Sequence, residues 1–257
     1  MNAQNIFKME MYKNATDKPY LFIVGILTAL SAIVSVLGVV VIQDTLAVGG
    51  SRSLGWFPIT FFILVLTFFG LGVAIFGLIY PFRLLNVDYS NKVISLMFAS
   101  GVNRVQYYLV KVGATILSNM FAMLTIMIIP LLTFLSIYRQ AFLEFLNLFI
   151  ENVTTGELIR GGATFTLSVV SGVVVMACSV ILTRGKIAGI FLYIGFNFAI
   201  QTVSTVISIL MLPFSQNQGL VYASSGSIFS PGQMIIPFLS IVIFGLLGIY
   251  LLRRQDL

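Results

Sequence analysis

The chain has 257 residues, of which 59 % are hydrophobic and only 9 % charged, and its formal net charge is +6; the mean hydropathy is +1.06. Soluble domains carry roughly 25 % charged residues to solvate their surfaces, so a water-facing globule of this size is excluded and the chain reads as a membrane protein. It has no histidine and a single cysteine, Cys178, which excludes His-containing triads, His-ligated metals, an intrachain disulfide and Cys clusters.

Six stretches lack Asp, Glu, Lys and Arg: 20–42, 56–81, 112–138, 161–182, 187–212 and 234–252. Each reaches the ~20 residues that cross a hydrocarbon core. The expected fold is an all-α polytopic membrane protein, one transmembrane domain over 1–257 with six spans. Before the first span, QNIFKMEMYK (4–13) mixes Ile6, Phe7, Met9, Met11 and Tyr12 with lysines. It reads equally as a surface helix or as a frayed basic tail. The first span exceeds the ~7–15 residues of a signal-peptide core and no small-residue cleavage site ends it, so it is expected to be retained. It carries a stripe of small residues, Gly25, Thr28, Ala32, Ser35 and Gly38. With the pairs Gly70/Ala74 and Ser168/Gly172, these read as close helix contacts.

The segment RLLNVDYSNKVISLMFASGVNRVQYYLVK (83–111) separates the second and third spans. A helix over 88–99 would present Val93, Ile94, Leu96, Met97 and Phe98 with nothing soluble in the chain to bury them. That face needs either the membrane surface or a groove on another protein. Pro130 in the third span and Pro237 in the sixth read as static bends before hinges. Residues 139–160 place Phe142, Phe145, Leu146 and Phe149 at helical spacing, as an outer interfacial helix would. Cys178, in the apolar fourth span, reads as a small buried hydrophobe.

The fifth span holds Asn197, Gln201, Ser204 or Thr205, and Ser208 on one helical face. Carboxamides in hydrocarbon need partners, so the face is either a polar path or subunit seam, or an interhelical hydrogen-bonding stripe. Residues 213–233 contain no charge and read as short helices dipping back into the outer half of the membrane.

Lys and Arg counts set the orientation. Eleven lie on the side of the termini, 82–111 and 183–186, three on the other, and acids divide four and four. Both termini are therefore expected to be cytoplasmic, and the basic balance reflects topology and no nucleic-acid partner. The chain has no GxxxxGK[ST] of its own.

In this layout the chain resembles an ABC-2 type permease, the membrane subunit of ATP-driven exporters. The resemblance is clearest in LMFASGVNRVQYYLVK (96–111), with its leucine, small residue, Arg104, the aromatic pair Tyr107 and Tyr108, and Lys111. The ending LLRRQDL is similar to the family's basic-acidic tail. The resemblance implies that 88–99 is a coupling helix docking into a separate cytoplasmic ABC ATPase, which would carry ATP and Mg. Asp88, Lys92, Leu96, Phe98 and Arg104 would lie at that contact, and Arg184 and Lys186 at a smaller one. A second permease, identical or similar, would meet the Asn197, Gln201, Ser204 and Ser208 stripe. No cofactor and no enzymatic step belong to this chain. Spans without charge disfavour ion-coupled transport and also point to an amphipathic or apolar substrate, such as a peptide, drug or lipid. The localisation implied is a bacterial or archaeal plasma membrane, amid membrane lipid. A second class of function remains open: a non-transporting sensor or immunity protein that binds a peptide or lipid through 141–159.

Overall fold

The computed structural model describes residues 3–48, 75–91, 93–137, 155–217 and 232–255. Among these, all regular structure is helical. A chain this apolar must satisfy its backbone polar groups within each segment, because hydrocarbon offers them no partner.

The helices are α1 (Ala3–Thr16), α2 (Lys18–Val48), α3 (Tyr80–Ser90), α4 (Val93–Ala99), α5 (Arg104–Ile137), α6 (Thr155–Leu182), α7 (Ala188–Asn217) and α8 (Gly232–Arg254). A wide π-helical turn over Ile75–Ile79 leads into α3, whose second residue is Pro81. The helical run is continuous from 75 to 90, so Pro81 removes one bond of its ladder just where the wide turn gives way to α3. Among the described residues, four stretches are long and apolar enough to cross a membrane: Arg104–Ile128, Ile159–Leu182, Ala188–Val206 and Met234–Arg254. A fifth results if α1 and the Lys18–Ile33 part of α2, which meet at a 54° bend, count as one broken span.

Several expected boundaries shift. The 4–13 segment is helix and not frayed tail. The helix expected over 88–99 is two helices, α3 and α4, interrupted after Ser90. The third span's helix begins at Arg104, well before 112, because its first turns are amphipathic and pack on protein. Part of 139–160 is already helix from Thr155. The helix of the fifth expected span, α7, passes through Pro213 and ends at Asn217; proline removes one bond of the ladder, and the others remain. Pro130 and Pro237 likewise lie inside continuous helices. Most of the 56–81 span, Gly70/Ala74, most of 139–160 and most of 213–233 lie outside the described residues.

The chain divides into two compact units. One comprises Met1–Lys8, Pro81–Ile116 and Val153–Leu257. Its central helix is α6, which packs against α8 and α7. Every residue from Val173 to Ile181 is buried, Cys178 among them. Of the small-residue pair Ser168/Gly172, Gly172 faces α7, where a Cβ would sit 3.4 Å from the Tyr193 hydroxyl oxygen, while Ser168 is exposed and bonds within its own helix to the Thr164 carbonyl.

The other unit comprises Met9–Tyr80 and Leu117–Asn152. Ser118 organises its polar interior. The Asn14 side-chain amide donates to Ser118 Oγ at 3.0 Å, and the Tyr20 hydroxyl donates to the Ser118 carbonyl at 3.0 Å. Tyr20 stacks in turn on Tyr80, with ring centroids 4.7 Å apart, and meets the edge of Phe76 at 6.1 Å. Of the small-residue stripe in α2, Gly25 faces open space.

Candidate docking site

The first unit carries the segments that the sequence singled out. Helix α4 is short, and its C-terminal end is fixed by specific chemistry. At its C-terminus Gly101 adopts φ +83°, the Val102 N–H donates to the Met97 carbonyl at 3.2 Å, and the Gly101 N–H to Phe98 at 3.1 Å. This is a Schellman cap, which requires the left-handed residue that glycine supplies. Asn103 then caps α5, its Oδ1 accepting the Val105 N–H at 3.0 Å.

One face of α4 is covered, contrary to the expectation that nothing in the chain could bury it. Ile94 packs with Ile6 of α1, Val102 and Tyr107, and Met97, Phe98, Tyr89 and Val110 flank them. The opposite face is bare, with Leu96 69 % exposed. Leu96 thus stands outward on a helix that lies outside the candidate spans.

The expected contact residues separate into two groups. Leu96, Arg184 and Lys186 are exposed, and Lys92 lies outside the described residues. Asp88, Phe98 and Arg104 turn into the chain. The Asp88 carboxylate is fully buried, pairs with the Lys111 ammonium at 2.6 Å and accepts the Tyr107 hydroxyl. Phe98 meets Tyr107 edge-on at 5.7 Å and lies under the Arg104 guanidinium at 5.2 Å. Arg104 Nη1 donates towards three carbonyls at the end of α8: Leu252 at 3.1 Å, Arg253 at 3.0 Å and Gln255 at 2.8 Å.

The α6–α7 turn uses a second Schellman cap. The Gly185 N–H bonds the Val180 carbonyl at 2.9 Å and the Arg184 N–H that of Ile181 at 3.1 Å. Here the left-handed cap residue is Arg184, at φ +50°, followed by Gly185 at +75°. A non-glycine residue in this region costs about 1–2 kcal/mol. Gly185 has a second constraint: a Cβ would lie 2.4 Å from Asn86 Oδ1 and 2.7 Å from Tyr89 Cβ. The turn is therefore pressed against α3.

Sequence reasoning missed Gln255, which joins these parts. Its side-chain amide donates to the Ile181 carbonyl at 2.6 Å, and its Oε1 accepts the Tyr89 hydroxyl at 3.2 Å. Burial raises the Tyr89 phenol above its ordinary range, and the Arg184 charge offsets this in part.

On α7, Asn197 is half-buried and donates to the Tyr193 carbonyl at 3.0 Å, while Gln201 is exposed and Ser204 half-buried. The Ser208 side chain lies outside the described residues. Only 6 % of the Ala188–Val206 stretch is buried, and Phe191, Ile194, Phe198 and Val203 are all open. Among the described residues no group of three His, Cys, Asp or Glu could hold a metal ion. Comparison with protein-family models, with curated proteins and with solved structures gives no match.

Proposed function

We propose that the chain is the permease subunit of an ATP-driven exporter of the ABC-2 type. In this reading it has six spans and cytoplasmic termini in a bacterial or archaeal plasma membrane. A second permease pairs with it, and a separate cytoplasmic ATPase binds ATP and Mg. The ATPase, on closing, would move α4 and reorient the spans to release an amphipathic substrate such as a peptide, drug or lipid.

The observation that carries this reading is Leu96, held outward on a helix whose other face is packed and whose C-terminal end is capped. A surface helix that dipped into lipid would have no need of rigid support from three other segments, whereas a lever must be stiff. Gln201, exposed on an almost uncovered α7, supports the second permease, because lipid cannot satisfy a carboxamide. The test is purification of the tagged chain from its native membrane in gentle detergent, with mass spectrometry of what accompanies it. A stoichiometric P-loop ATPase that is lost with Leu96→Asp is expected. A clean preparation without ATPase, repeated in nanodiscs, rejects the proposal in favour of a non-transporting sensor or immunity protein.

A further inference from the structure

Arg104 stands in the first turn of α5, the wrong end of its own helix for a cation, since the macrodipole is positive there. Its guanidinium instead serves the negative end of another helix. The last four carbonyls of a helix have no partner within it. At the end of α8 the Leu251 carbonyl is taken by the Gln255 N–H at 3.0 Å, and those of Leu252 and Arg253 are taken by Arg104. Arg104 therefore caps α8 across 148 positions of sequence. The same guanidinium lies over Phe98, on the buried side of α4 opposite Leu96. Gln255, whose own carbonyl Arg104 holds, continues the connection to the end of α6 and to α3.

We infer that Arg104 is a positioning residue, a clasp that fastens α4 to the C-terminal end of α8, so that a load applied at Leu96 reaches the last span through Phe98 and Arg104. This inference rests on the docking reading of α4 and assigns Arg104 a role inside the chain in place of contact with the ATPase. The carbonyl contacts all run from Nη1, so what lysine lacks is the guanidinium plane that lies over Phe98 while its edge reaches the carbonyls.

The test has two arms on the full chain in lipid nanodiscs. In the first, amide hydrogen exchange is compared between wild type, Arg104→Lys, Arg104→Ala and Phe98→Leu. Each lost hydrogen bond contributes modestly, so exchange should rise about tenfold in the Arg104 variants. The rise should appear together over 94–99 and 249–255, with α7 unchanged; Phe98→Leu, which leaves Arg104 and its carbonyl partners in place, should loosen 249–255 as well. A rise in only one segment, or in neither, overturns the clasp. In the second arm, Arg104→Lys should retain the ATPase but lose the permease's effect on its turnover at unchanged KM, whereas Leu96→Asp loses the ATPase itself. Loss of the ATPase with Arg104→Lys overturns the inference, because Arg104 would then be a contact. If wild type captures no ATPase, the docking reading fails and the exchange arm still decides the clasp.

Discussion

The Asp88 carboxylate and the Lys111 ammonium meet at 2.6 Å with 1 % and 4 % of their side chains exposed, so the neck of the hairpin that carries α4 is an ion pair closed to solvent. Removing one member of such a pair leaves an uncompensated buried charge. Asp88→Asn is expected to destabilise the chain by about 3–5 kcal/mol, whereas Asp88→Leu combined with Lys111→Met and with Tyr107→Phe, whose hydroxyl Asp88 accepts, should recover most of that loss. Denaturant unfolding of the nanodisc-embedded chain measures both, and equal losses in the single and triple variants would count against the pair's role.

Leu96 and Phe98 lie two positions apart on one short helix and should behave differently. Leu96→Asp changes an exposed side chain and should leave stability within about 0.5 kcal/mol while abolishing ATPase capture. Phe98→Asp removes a ring that packs on Tyr107 and Arg104 and should lower stability as well, by about 3 kcal/mol. The thermal midpoints of the two variants, set beside their capture yields, separate contact from support.

The α6–α7 turn gives a pair of opposed substitutions. Arg184→Gly relieves a left-handed arginine and should stabilise the chain by about 1 kcal/mol, yet weaken ATPase association by removing an exposed charge. Gly185→Ala should destabilise by more than about 2 kcal/mol, since it adds backbone strain to a collision with Asn86 and Tyr89. Thermal unfolding of both variants is the check; stabilisation by Gly185→Ala would refute the close packing of the turn on α3.

Much of this was legible in the sequence, and the rest was not for identifiable reasons. The long helices follow from uncharged runs, because hydrocarbon permits nothing but internal hydrogen bonding. The interruption after Ser90 has no strong breaker, neither proline nor glycine, so the residues read as one helix through 99. Asp88 looked like a surface charge because single-sequence reasoning places charges in water. Its one signal was Tyr107 and Lys111, four apart and therefore on one face of α5. Arg104 and Gln255 act across distances in sequence that no periodicity encodes.

Tyr89 gives the chain a dependence on alkaline pH. Burial raises its folded-state pKa above the ordinary 10.0, so the neutral phenol's contribution is complete below pH 10 and is lost as pH rises through the folded-state value. Tyr89→Phe also removes the hydrogen bond to Gln255. The variant should be less stable than wild type at pH 8 by about 1 kcal/mol, and the gap should narrow on titration above pH 10. A constant gap would contradict the assignment.

Gln201 offers a direct reading of what covers α7. Gln201→Cys should form a disulfide with a second permease in native membranes under mild oxidation, while Leu239→Cys on α8 should not. Cross-linking from both positions alike would show collision and no specific seam.

Helices α6 and α8 are almost equally apolar, with mean hydropathies of 2.4 and 2.6, α6 through valine among small residues and α8 through isoleucine, leucine and phenylalanine. Yet 56 % of one span window is buried inside the chain and 17 % of the other. Equal apolarity thus conceals two different kinds of tolerance. On α8, positions such as Phe238, Val242 and Leu246 face outward and need only be greasy, so any large apolar side chain should serve. Along Val173 to Ile181 the neighbours are close-packed protein, and there the exchange of one methylene for another becomes a matter of volume. A saturation library of this chain should therefore show α8 filtered by polarity and α6 by size.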